Sequence, residues 1–164
     1  MTIPQLQLAP AARDAAIKLQ AAFPDVVFTS GRRSIEKQAQ MMARNMVKAP
    51  EGPLKWLTNT YIYSDPLYHV LNDGSVNLAS QVGIEAKLLD TMLAMDTINL
   101  LRISRHLTGD AFDIDPITDN MGVPTAYGQR VIDYVRRNIP EAKMLLREGG
   151  LIVWHVQLPP SVEV

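Results

Sequence analysis

The chain contains no cysteine. That absence excludes a thiol nucleophile, a disulfide framework and a cysteine-ligated zinc centre, so any metal has to be held by His, Asp or Glu. An excess of charge of one sign is also missing. With 16 Lys and Arg against 17 Asp and Glu, the formal net charge is -1, which provides no electrostatic footprint for nucleic acid or an anionic membrane. No apolar run approaches the roughly 18 residues that a membrane helix requires, so no membrane insertion is expected. The opening residues Met1 to Pro10 have neither a basic segment nor a sustained apolar stretch, and no signal peptide is expected.

What is present is an ordinary globular composition: 164 residues, 47% hydrophobic and 20% charged, read as a single domain over residues 1–164. Pro10 opens an alanine-rich helix that Pro24 ends, and Val26-Val27-Phe28-Thr29 reads as a short strand. Ser34 caps a helix running to about Val47. Residues 49–84, broken by Pro50, Gly52, Pro53, Pro66 and Gly74, read as a partly helical insertion, because a bare loop of that length is unusual in a compact domain. Glu85–Met95 and Pro124–Ile139 have helical apolar spacing. Segments 100–104 and 111–115 read as strands, and 143–148 and 151–157 as a hairpin turning at Gly149-Gly150. The expected fold class is therefore α+β, a small antiparallel sheet with helices packed on one side.

Three short segments carry candidate chemistry. Ser104-Arg105-His106-Leu107-Thr108-Gly109-Asp110-Ala111-Phe112-Asp113 places a histidine and a carboxylate on either side of a glycine that can adopt positive φ. Trp154-His155-Val156-Gln157 puts a histidine in an apolar strand, where alternation groups His155 with Leu151 and Val153, away from Ile152, Trp154 and Val156. A histidine so placed reads either as a satisfied core residue or as a metal ligand. Upstream, Ser30-Gly31-Arg32-Arg33-Ser34 offers a cation at the end of a strand, and Arg33 reads as an anion-binding arginine or as a solvated residue at a helix start. His69, beside Tyr68, reads as a surface or packing residue, and the methionines Met41, Met42, Met92, Met95 and Met144 read as core fill.

Taken in order, Ser-Gly-x-Arg-Ser with Gln38, His106-x-x-Gly109-x-Ala111-x-Asp113 after Ser104, and a late histidine followed by Gln157 resemble one family of zinc peptidases. That family includes D-alanyl-D-alanine carboxypeptidases and the L-alanyl-D-glutamate endopeptidases of phage endolysins. The resemblance spans residues 30 to 157 and implies the Hedgehog/D-Ala-D-Ala-peptidase fold, with Zn²⁺ held by His106, Asp113 and His155. It also implies that Arg33, Ser104 and Gln38 contact substrate, and that the substrate is a peptidoglycan stem peptide. Arg32 falls at the unspecified position of the motif.

One departure separates this chain from the pattern. Family members often place an acid three residues before the last histidine, and here that position is Ile152. Glu148 is the nearest upstream acid and the first candidate for the general base, although a regular hairpin would hold it about four residue steps, or ~13 Å, from His155. Asp110 and Asp115 are the other acids near the ligands. Two functions follow from the resemblance: a phage-type peptidase released to the cell wall or carried in a virion, or a non-catalytic phage structural (virion or tail) or cell-wall-binding protein that keeps the fold without turnover.

Overall fold

The computed structural model describes residues 1–61, 63–148 and 150–161. They fall into two compact units, one built from Met1–Arg32, Thr108–Glu148 and the chain from Ile152 onward, the other from Arg33–Leu107 with Gly150 and Leu151. In chain order the helices are α1 (Pro10–Ala22), α2 (Ile35–Lys48), α3 (Pro53–Thr60), α4 (Asp65–Leu71), α5 (Gln81–Leu93), α6 (Thr97–Ile103) and α7 (Ala126–Asn138). The strands are β1 (Phe28–Ser30), β2 (Ala111–Ile114), β3 (Lys143–Glu148) and β4 (Leu151–Gln157).

The first unit is a four-stranded sheet of order β1-β2-β4-β3, with β2 antiparallel to both its neighbours. Alternation along the strands decides its faces. Phe28, Phe112, Ile114, Trp154 and Val156 enter one core with Ala12, Ala15, Ala16 and Leu19 of α1 and Val131, Ile132 and Val135 of α7. The rings of Phe28 and Phe112 meet edge to face at 5.6 Å. Asp113 and His155, which alternate with those residues, project from the opposite face.

The second unit is helical, with Met42 and Met46 of α2, Trp56 and Leu57 of α3, Leu67 and Leu71 of α4 and Ile84, Leu88 and Met92 of α5 in one core. Ser34 begins α2 as expected, its Oγ accepting from the Lys37 amide at 3.3 Å. The insertion 49–84 does contain helices, α3 and α4.

One expected strand is absent. Residues 100–104, expected to be a fifth strand, belong mostly to α6. Asp96 caps that helix, its Oδ1 accepting from the Asn99 amide at 2.8 Å, while Leu100 and Ile103, three residues apart on one helical face, pack into the second core. A short apolar run does not distinguish a strand from a buried helical turn by periodicity, and here the cap and the core select the helix. The expected turn at Gly149-Gly150 lies partly outside the described residues. Gly150 itself has φ 79°.

Candidate metal centre

Asp113 and His155 are brought together by strand register. They stand directly opposite each other in the β2–β4 pair, so their side chains share a face. His155 Nδ1 lies 2.9 Å from Asp113 Oδ1. Gln157, two residues on and therefore on the same face, places Oε1 3.3 Å from His155 Nε2. An acceptor at that position holds a proton on Nε2 and turns Nδ1 toward the carboxylate, the arrangement by which a neighbouring group orients a metal-ligating histidine.

His106 reaches the same place from a 3₁₀ turn, Arg105–Leu107. Its amide donates to Ser104 Oγ at 3.3 Å, so the serine hydroxyl shapes the turn that presents the ligand. Gly109 then takes φ 82°, as the motif's glycine predicts, and reverses the chain into β2. Its carbonyl accepts from the Ala9 amide at 3.0 Å. One ligand atom from each of His106, Asp113 and His155 lies within 4.8 Å of the others, and both histidines are buried, at 3% and 5% exposure.

The donor set fits a divalent ion. Two imidazoles and a carboxylate are borderline-hard ligands suited to zinc. Two ligand atoms on one ion at ~2.0–2.2 Å stand no more than about 4.4 Å apart, so closing on it needs only a side-chain adjustment. Burial disfavours the charged form of His155. The hydrogen bond and charge of Asp113, the charge of Glu148 and the Gln157 bond outweigh it, and together hold the His155 pKa above the ordinary histidine value. His155 Nδ1 and Asp113 Oδ1 are hydrogen-bonded, and Nδ1 would have to be free of a proton to serve as a ligand.

The remaining candidates divide. Glu148, half-buried at the end of β3, is close enough for its charge to act on His155. Ile152 packs onto Gly122 on the other side of β4, so position 152 does not address the ligands. Asp110 is buried and structural: its Oδ2 accepts from the Ser161 amide and hydroxyl at 3.0 and 3.2 Å. Asp115 and His69 are exposed.

Arg33 is anchored to the ligand turn, its amide donating to the His106 carbonyl at 2.9 Å. Gln38 is buried and is hydrogen-bonded to Arg33 and Tyr61. Tyr61 carries no sequence signal. It lies in the segment that periodicity could not resolve, and only the fold brings it to Gln38.

The glycine of the Ser-Gly-x-Arg motif has a packing reason. A β-carbon on Gly31 would collide with the Leu6 carbonyl oxygen and stand 2.6 Å from Leu6 Cβ, while the Arg32 amide bonds that same carbonyl at 2.7 Å. Gly31→Ala is expected to destabilise the protein by about 1–3 kcal/mol, the range for overpacking, read as a lowered denaturant midpoint.

No family model, curated protein or solved structure matches this chain. Among the described residues, no helix is long and apolar enough to cross a membrane.

Proposed function

We propose that the protein is a zinc-dependent peptidase of the Hedgehog/D-Ala-D-Ala-peptidase fold, cleaving peptidoglycan stem peptides as phage lysins do. The observation that carries this reading is the convergence of His106, Asp113 and His155 within 4.8 Å in a chain without cysteine. Three protein ligands are the number that catalytic zinc sites use while keeping a further position open. A zinc ion bound there supplies Lewis-acid polarisation of a carbonyl and lowers the pKa of water toward ~7.

The chain's own groups do the rest. Arg33 pairs with a carboxylate or carbonyl of the peptide and fixes its register. Glu148 takes the proton of the attacking water on its carboxylate and returns it to the leaving amine. Gln157 keeps His155 in the tautomer that serves as a ligand.

Zymography on purified cell wall, run with chelator, without it, and with zinc restored, tests the reading alongside metal analysis of the protein. Clearing that disappears with chelator and returns with zinc supports it. Protein that carries zinc yet cleaves no stem peptide instead supports a structural or binding protein on the same fold, which the side chain of Ile152 at the usual acid position favours. Arg33→Ala is expected to cut cleavage at least tenfold while shifting thermal stability little. A hydrogen bond to a charged group is worth about 1.5–3 kcal/mol when a substrate uses it. Equal losses of turnover and stability would show Arg33 to be structural.

A further inference from the structure

Arg33 is tied down at two points. Its backbone amide is bonded to His106, and its side-chain Nη1 donates to Gln38 Oε1 at 3.3 Å. Gln38 lies in the first turns of α2 at 1% exposure, and its Nε2 donates to the hydroxyl oxygen of Tyr61 at 3.3 Å. Tyr61 is itself held: its amide donates to the Leu57 carbonyl at 3.0 Å, and its ring meets the buried Trp56 edge to face at 5.8 Å.

We propose that Tyr61 and Gln38 are positioning residues that set the plane of the Arg33 guanidinium for a planar carboxylate or carbonyl group of the substrate. The inference rests on the peptidase reading for its substrate, but not for the physical coupling between the three side chains.

A carboxamide has one accepting and one donating end. Here Arg33 uses the first and Tyr61 the second; a flipped amide could still accept from the Tyr61 hydroxyl but would lose its bond to Arg33, whose nitrogens only donate. The surrounding buried positions of α2 are Ala39, Met42, Ala43 and Met46. An apolar residue at 38 would suit that core without the desolvation cost a buried amide carries. What the amide supplies is orientation. An arginine whose fork is already held loses less freedom when it pairs bidentately with a carboxylate. Tyr61 thereby gives the insertion 49–84 a part in substrate binding.

The test compares Tyr61→Phe, Gln38→Leu and Gln38→Glu by steady-state kinetics on a purified stem peptide, with metal content and melting temperature as controls. The Arg33 Nε–H resonance, followed by ¹H–¹⁵N NMR, supplies a readout that needs no turnover. Tyr61→Phe and Gln38→Leu are expected to raise KM about 3- to 10-fold, the scale of one hydrogen bond, with kcat within about twofold. Both are expected to shift or broaden the Arg33 signal. Gln38→Glu is expected to restore KM and signal, because a carboxylate accepts from Arg33 and lets the Tyr61 hydroxyl reverse and donate. A purely packing role would make the buried glutamate the worst of the three. Unchanged KM and resonance in Tyr61→Phe and Gln38→Leu overturn the proposal, as do losses that only track melting temperature. If the wild type cleaves nothing, the peptidase reading falls, and the resonance alone decides the coupling: a signal altered in both variants and restored by glutamate supports it, and an unaltered one overturns it.

Discussion

On the proposed zinc reading, Asp113→Asn is expected to abolish metal binding while leaving the protein folded. The asparagine amide has nearly the shape of the carboxylate and, with one donating and one accepting end, can keep the contact with His155 Nδ1 that measures 2.9 Å in the wild type. What it loses is the negative charge that makes Asp113 an anionic ligand. Metal per chain, measured by mass spectrometry after dialysis, is expected to fall from about one equivalent to background, and cleavage with it, because no residual route through the site is left. His155→Ala removes a ligand outright and is expected to abolish both as well. It also removes one member of a contact that is largely withdrawn from water, with side-chain exposures of 7% and 19%. Breaking a buried pair in this way costs up to about 3–5 kcal/mol, a figure that the partial exposure of Asp113 reduces. The two variants therefore separate ligation from folding. Full metal retention in Asp113→Asn, with a normal melting temperature, would remove Asp113 from the ligand set.

Glu148→Gln is expected to lower kcat by about 10²–10⁴-fold, the usual contribution of general acid–base catalysis, while leaving metal content and KM near wild type. The change keeps size and hydrogen-bonding capacity but cannot accept the proton. It also removes one of the charges that raise the His155 pKa, so the metal-free site releases its proton more readily in this variant. Metal content near one equivalent beside slow turnover is thus the signature of a lost base. Normal turnover in Glu148→Gln, with His155→Ala inactive, would exclude Glu148 and move the search for the proton acceptor into residues 49–84.

How much of this centre could be read from residues alone depends on the range of the forces involved. The local features were legible. Ser34 and Gly109 each stand where backbone geometry requires them, and the alternation of Phe112, Asp113 and Ile114, like that of Trp154, His155 and Val156, separates the core face of a strand from its ligand face. The absence of cysteine narrowed the donors to His and acids. The segment 100–104 misled, because its apolar residues suit a strand or a helix and the cap of the helix they belong to lies outside the run, at Asp96.

Chain sequence by itself determined the kinds of candidate ligand and the strand face that Asp113 and His155 would occupy, since residue chemistry and a period of two are local properties. Tertiary structure decided which of them meet. It aligned Asp113 with His155 across 42 residues of chain, placed Leu6 where Gly31 admits no side chain, joined Tyr61 to Gln38, and brought Glu148 into electrostatic range of His155. These are matters of register and packing between distant segments, set when the two cores form, and no local pattern encodes them.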